Sequence, residues 1–225
     1  MPAINGEQYI SRINALQSDV WLDGEKITGN ISEHPVFSGV MKSQANLYDL
    51  QHEKSIHDIM TFTSDTTGNK IGTSFMRPQS KEDLEKRRKM VQIWAKTNAG
   101  MMGRSPDYKN TTLMSLASAA DLVHVDGANF QTNLLDFFEY ARENDLSFTH
   151  TFITPQVNRS QMHFEAEENI VAARIVDKTS EGLVIKGARL LATQGGITDE
   201  IIVSSSALKM FDEPFAYVFS IPSNT

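Results

Sequence analysis

Three stretches of this sequence hold side chains able to do chemistry. The first is Phe148-Thr149-His150-Thr151-Phe152-Ile153-Thr154-Pro155-Gln156-Val157-Asn158-Arg159. Phe148, His150 and Phe152 alternate with Thr149, Thr151 and Ile153, which is the period of a strand, and β-branched and aromatic residues favour the pleat. Pro155 has no N–H for a ladder, so pairing is expected to stop there or to reach a sheet edge. Beyond it, amide, guanidinium and backbone donors in irregular conformation suit an anion or a heterocycle. An imidazole between two phenyl rings could exchange a proton with such a ligand. The same pattern also fits an ordinary strand histidine.

The second stretch is Gly103-Arg104-Ser105-Pro106-Asp107-Tyr108. Pro106 disfavours helical geometry at Ser105, so a connection between helices is expected, projecting its side chains from rigid supports. Arg104 offers a permanent charge on a planar donor fork and Tyr108 a hydroxyl on an aromatic plate. Together they could hold an anionic aromatic molecule, or they could be a plain helix–helix loop. The third, Thr193-Gln194-Gly195-Gly196, permits positive φ or close approach to the backbone, and equally an ordinary turn.

The elements that must position these residues follow from periodicity. Asn5 with Gln8 forms a capping-box pattern ahead of Tyr9, Ile13, Leu16 and Val20, which predicts a helix to about Val20. Trp21 to Ile27 reads as a hairpin turning on Asp23-Gly24. Pro35 opens a second helix whose inner face would be Val36, Val40, Leu47 and Leu50. The polar run Thr61 to Gly72 reads as a loop or hairpin tip. A third helix starts near Ser80, capped by Asp83, with Leu84, Val91, Trp94 and Ala95 inward and Lys86-Arg87-Arg88-Lys89 solvated. Thr111 to His124 and the stretch with Phe130, Leu134, Phe137, Phe138 and Ala141 give two more. After Asn144 short strand-like runs take over: Phe148–Ile153, Ile170–Val176, Leu183–Ala192, Glu200–Val203 and Ala216–Ile221. Helices first and strands second imply an α+β chain: a helical region over 1–145, then an antiparallel, barrel-like β region over 146–225.

Composition bounds the function. Among 225 residues the net charge is −7 and there are no cysteines. An acidic balance argues against a general nucleic-acid or anionic-membrane surface. No apolar run approaches the ~20 residues of a bilayer span, and the amino terminus lacks the regions of a signal peptide, so a cytoplasmic protein is expected. Without cysteine there is no disulfide, thiolate nucleophile or iron–sulfur ligation by this chain. Neither His52-Glu53-Lys54-Ser55-Ile56-His57 nor His163-x-Glu165 has metal-site spacing, and no metal is expected. Fingerprints for dinucleotides, nucleotide phosphates and a nucleophile elbow are missing.

Taken in order, several blocks resemble one family. Trp21-Leu22-Asp23-Gly24-Glu25-Lys26, His34-Pro35-Val36-Phe37 and Leu47-Tyr48-Asp49-Leu50-Gln51-His52 are similar to the opening of the 4-hydroxyphenylacetate 3-hydroxylases. So are Gly103 to Tyr108, Thr149-His150-Thr151-Phe152 with Gln156-Val157-Asn158-Arg159, and Gly187-Ala188 through Ala192-Thr193. The resemblance implies a two-component flavin monooxygenase on an acyl-CoA-dehydrogenase-like fold. Reduced FAD (FADH2) would come from a separate NADH-dependent flavin reductase, and a phenol such as 4-hydroxyphenylacetate would be hydroxylated ortho to its oxygen through a flavin C4a-hydroperoxide. It also implies that Arg104, Tyr108 and His150 act on the phenol, with His150 and Arg104 favouring the phenolate and an imidazole pKa of ~6.5 suiting the exchange. His150, Gln156, Val157, Asn158, Arg159 and Thr193 would hold FAD.

Members of that family are longer, with a carboxy-terminal helical bundle that completes the flavin site and builds a tetramer. The chain by itself is therefore expected to be weakly active or inactive. A non-catalytic flavin-binding or interaction fragment is the alternative. The related 4-hydroxybutyryl-CoA dehydratases need cysteine ligands and rank far below.

Overall fold

The computed structural model describes residues 3–101, 104–155, 171–205 and 213–225. Helix α1 (Gly6–Leu16) starts at a reciprocal cap: the Gln8 N–H donates to Asn5 Oδ1 at 2.8 Å and the Asn5 N–H to Gln8 Oε1 at 2.9 Å. It ends four residues before the predicted Val20, because Gln17 turns left-handed (φ 49°) and its N–H closes on Asn14. The hairpin β1 (Trp21–Leu22) and β2 (Glu25–Lys26) forms as expected around Asp23-Gly24.

Helix α2 (Pro35–Asp49) is capped by His34 and packs on α1, Tyr9 stacking on Tyr48 with ring centroids 5.3 Å apart. The crossing is tight: a Cβ on Gly6 would lie 2.7 Å from the Ala45 carbonyl oxygen. The face that α2 buries is Met41, Gln44, Ala45, Leu47 and Tyr48. Val36 and Val40, expected inside, are exposed, Val36 by 58%. Residues 41, 44, 45 and 48 form the i, i+3, i+4, i+7 stripe. Each valine lies about 100° of helix away from it, on the side where Leu47, seven residues beyond Val40, is covered by Met60, Met90 and Trp94, so cover at that end of α2 separates them.

Short α3 (His57–Met60) leads into the hairpin β3 (Thr61–Thr63) and β4 (Lys70–Gly72), which occupies the polar 61–72 stretch. Helix α4 (Lys81–Thr97) has the predicted Ser80–Asp83 capping box. Its buried face is Arg87, Met90 and Trp94. Leu84 (57% exposed), Val91 and Ala95 face outward. The solvated basic run therefore fails at Arg87. Its Nη1 donates to the carbonyls of Thr73, Ser74 and Met76 at 2.9–3.0 Å, and its Nη2 donates to Thr111 at 2.8 Å. Two guanidinium nitrogens thus serve the carbonyls of a tight turn, Thr73 O also accepting from the Met76 N–H at 3.0 Å.

Helix α5 (Asp107–Ser118) begins before the predicted Thr111, directly after Pro106. Proline is tolerated at a helix start because its missing N–H has no intrahelical role there. Tyr108 thus stands on a helix and not in a loop. Helix α6 (Phe130–Glu143) buries Phe138 and Ala141, with Leu134 and Phe137 partly covered and Phe130 exposed.

Strand β5 (Phe148–Thr151) is buried on both faces and is the contact between α5 and the sheet. β6 (Arg174–Thr179) and β7 (Gly182–Lys186) form their own antiparallel hairpin. β8 (Glu200–Ser204) pairs with β5 and with β9 (Val218–Pro222). The expectation of an antiparallel sheet is corrected here: β5 and β8 run parallel, His150 opposite Ile202, while β8 and β9 are antiparallel. Parallel neighbours need a long crossover, and nearly fifty residues including the β6–β7 hairpin separate these two. The described strands close no barrel. Among the described residues no helix is long and apolar enough to cross a membrane.

The regions before and after residue 145 are joined by buried polar bonds. Asp145 accepts from the Ile4 N–H (3.1 Å) and from Gln51 Nε2 (2.7 Å). Asp199 accepts from the Ser147 N–H (2.7 Å) and hydroxyl (2.6 Å) and pairs with Arg12 at 2.6 Å. The Tyr9 hydroxyl donates to the Ile197 carbonyl at 2.7 Å.

Candidate active site

His150 sits in the middle of β5 because its neighbours alternate. Phe148 enters the apolar cluster with Phe75, Leu113, Phe138 and Ile202. Phe152, two residues on, lies parallel to the imidazole, 5.3 Å between centroids and 4° between planes. The first turn of α5 brings Tyr108 against the same imidazole, 5.6 Å centroid to centroid. The Arg104 guanidinium carbon lies 4.7 Å from the Tyr108 ring centroid and Lys109 Nζ lies 4.8 Å from it, both cation–π distances. The three residues singled out in sequence, Arg104, Tyr108 and His150, therefore form one contiguous group.

Arg104 also lines a cavity of about 570 Å³, open to solvent, whose other walls include Val36, Phe37 and Val40 of α2, Met101, and Thr193 to Gly195. Thr193 thus shares a wall with Arg104. The turn holding it needs its glycine: Gly196 has φ 80°, and a Cβ there would lie 2.7 Å from Val20 Cγ2. Gln156, Val157, Asn158 and Arg159 lie outside the described residues.

Electrostatics refine the picture. His150 is 5% exposed and its Nδ1 is buried without a hydrogen-bond partner. Burial, then the charges of Lys109 and Arg104, lower its pKa to about 4. The exchange near pH 6.5 expected from an unperturbed imidazole is corrected: at neutral pH this ring is uncharged. Lys109 is lowered to about 8, first by burial and then by Arg104. Burial raises the Asp107 carboxyl, against the Ser105 hydroxyl it accepts from at 2.6 Å and the charge of Arg87.

Sequence reasoning missed Lys109. Its only sign was adjacency to Tyr108, since a lysine on a helix reads as solvent-facing. It also misjudged Val36 and Val40, whose exposure makes sense as cavity wall. Among the described residues no group of three His, Cys, Asp or Glu side chains could hold a metal ion.

Helices laid on a small mixed sheet match the acyl-CoA-dehydrogenase-like fold of the solved structural neighbours. The oxygenase component of 4-hydroxyphenylacetate 3-monooxygenase, solved with FAD and 4-hydroxyphenylacetate, superposes with a TM-score of 0.89 at 35% identity over 99% of this chain and 45% of that one. The chain belongs to the 4-hydroxyphenylacetate 3-hydroxylase family, whose amino-terminal profile matches residues 5–225. A probable 4-hydroxyphenylacetate 3-monooxygenase of Bacillus subtilis (strain 168) is 52% identical over 225 residues, 100% of this chain and 47% of that protein. The 4-hydroxyphenylacetate 3-monooxygenase oxygenase component of Geobacillus sp. (strain PA-9) is 43% identical over 228 residues, 100% of this chain and 46% of that protein. The chain spans about half the length of the curated relatives it matches.

Proposed function

We propose that this chain is the amino-terminal portion of an FADH2-dependent monooxygenase that hydroxylates a phenol such as 4-hydroxyphenylacetate ortho to its oxygen. The observation that carries the reading is the contact group of Arg104, Tyr108 and His150 beside an open cavity, in a member of this family. The residues fit a bound flavin and phenol in one testable respect: a buried imidazole nitrogen without a partner is costly unless a ligand satisfies it. When bound, reduced flavin with dioxygen supplies the oxygen atom.

The chain's own residues do the rest. Arg104 orients the phenol oxygen with a charged fork, and Tyr108 contributes its hydroxyl and a ring against which an aromatic substrate packs. His150, neutral, offers one donor and one acceptor nitrogen, so it directs a hydrogen bond without adding charge. Phe152 shields its far face from water. Thr193 and, by the family match, Gln156, Val157, Asn158, Arg159 and His150 hold the flavin. Residues 1–145 provide the helical wall and 146–225 the β wall. A carboxy-terminal helical bundle, in a barrel-completed acyl-CoA-dehydrogenase-like tetramer, closes the open side. The reading places the protein in the cytoplasm beside an NADH-dependent flavin reductase.

The test is catechol formation from 4-hydroxyphenylacetate with a flavin reductase, by the chain alone and with the remaining half of the Bacillus subtilis relative added. Arg104→Ala is expected to lower product formation at least about a hundredfold while leaving FAD affinity within threefold, as loss of an oriented charge does. Equal losses of both would remove Arg104 from the substrate. FAD binding with no catechol under either condition would leave a flavin-binding fragment.

A further inference from the structure

Lys109 follows Tyr108 on the first turn of α5 and is half-buried. Among the described residues its ammonium makes no hydrogen bond or ion pair; what it touches is the face of Tyr108, at 4.8 Å. An ammonium removed from water without an anionic partner is disfavoured. Nearby, His150 Nδ1 is also buried and unpartnered. Two unmet polar groups against one tyrosine ring, one cationic and one neutral, are complementary to a single small anion that can also accept a hydrogen bond.

We infer that Lys109 supplies the positive charge that selects the ionised form of the phenol, holding the phenolate oxygen beside Tyr108 and His150. The inference rests on the phenol-binding reading above and adds a residue to it. The charge balance is simple: the phenol leaves its proton in bulk water on entry, and no group in the cleft gains one. Phenolate is the more electron-rich ring and the better acceptor of an electrophilic oxygen.

The division of labour follows from what faces what. His150 on β5 is uncharged at neutral pH, so it cannot be the counter-ion; Arg104, from the connection before α5, is the other cation beside Tyr108. Lys109 is the cation of the group that titrates near neutrality. Neither Lys109 nor His150 has a carboxylate among the groups that shift it. The turn Thr73–Phe75 packed on α5 carries no titratable side chain, and α6 meets α5 through Leu113, Met114 and Ala117.

The probe is 4-nitrophenol, whose ionised form is coloured, titrated against pH in the presence of the protein. Bound probe is expected to ionise at lower pH than free probe. Lys109→Met should return that midpoint toward the free value and weaken binding at pH 7 about tenfold, the effect of losing one nearby charge. Lys109→Arg should restore both. 4-Nitroanisole, which cannot ionise, should bind the wild type and Lys109→Met alike, and so should phenylacetate, which has a carboxylate but no phenol. A midpoint unchanged by Lys109→Met overturns the inference, as does a loss confined to phenylacetate, which would make Lys109 a carboxylate anchor. A wild type that binds neither nitro compound overturns the phenol-site reading itself. Should Lys109→Met fail to fold, Lys109→Gln takes its place, and NMR titration of the His150 ring gives a ligand-independent check: its midpoint should rise from about 4 when the ammonium is gone.

Discussion

Two polar clusters flank the start of β5, three residues apart in sequence. At Ser147 two carboxylates are met by donors: Asp145 by the Ile4 N–H ahead of α1 and by Gln51 just after α2, and Asp199 by Arg12 of α1 and by Ser147 on the way into the strand. At His150 two cations crowd one tyrosine, and a buried nitrogen accepts or donates nothing. The first cluster is closed and holds the helical and β regions together. The second is open, and its open valences are what a ligand would use. Burial alone does not separate them, since Asp199 and His150 are both almost fully covered. A partner does: Arg12 Nε, without an aligned hydrogen bond, still lies 2.6 Å from Asp199, whereas His150 Nδ1 has no partner among the described residues.

If that contrast is right, the largest effect on stability comes from the closed cluster. Asp199→Ala removes the acceptor for Ser147 and leaves Arg12 facing a cavity, and is expected to cost about 3–5 kcal/mol in chemical denaturation. A loss under ~1 kcal/mol would mean the junction is not what joins the regions.

A smaller effect, with a definite sign in pH, belongs to Asp145. Burial raises its pKa from 3.8 to about 6, against the pull of Gln51 and the Ile4 N–H. A carboxyl whose folded pKa lies above its unfolded value contributes stability that is complete below about pH 4 and lost as pH rises through about 6. Relative to Asp145→Asn, which keeps the acceptor oxygen and cannot ionise, the wild type should lose on the order of 2–3 kcal/mol between pH 4 and pH 7. A stability difference that is flat with pH would show Asp145 ionised without penalty.

What the sequence revealed and what it hid divide along the same line. Local chemistry was legible. The Asn5–Gln8 and Ser80–Asp83 caps, the Asp23-Gly24 turn and the alternation through His150 are set by residues a few positions apart. The grouping of Arg104, Tyr108 and His150 was legible through family resemblance, because their separation in sequence carries no geometric signal. Long-range compensation was not legible. Nothing near Arg87 in sequence says that three turn carbonyls await it, and nothing near Val40 says that its side of α2 is covered at Leu47 and bare at Val40. The parallel pairing of β5 with β8 depends on where a distant hairpin takes the chain. The uncharged state of His150 depends first on its burial and then on Lys109 and Arg104 being folded against it, and an unperturbed pKa could not report that.

The smallest stability effect, and the sharpest test of the contrast, is His150→Phe. Removing Nδ1 relieves a buried, unpartnered group, a gain of about 1–3 kcal/mol by itself. Phenylalanine keeps the parallel ring stack on Phe152 and the contact with Tyr108, but it is slightly larger and sits in a packed layer, where overpacking costs a similar ~1–3 kcal/mol. The two nearly cancel, so thermal and chemical denaturation should place the variant within about 1 kcal/mol of the wild type, and on the stable side if the ring fits. Function should move in the opposite sense. Assembled with flavin reductase and the complementary half of a relative, the variant should consume oxygen with less catechol formed per turnover, because the hydrogen bond that directs the substrate oxygen is gone. A variant as unstable as Asp199→Ala would mean that His150 is a structural member of the sheet whose partner the orphan nitrogen conceals. A stable variant with unchanged coupling would mean that the open valence serves no ligand. Either result removes the distinction between the two clusters, whereas a stable and uncoupled protein confirms that β5 carries a joint at one end and a site at the other.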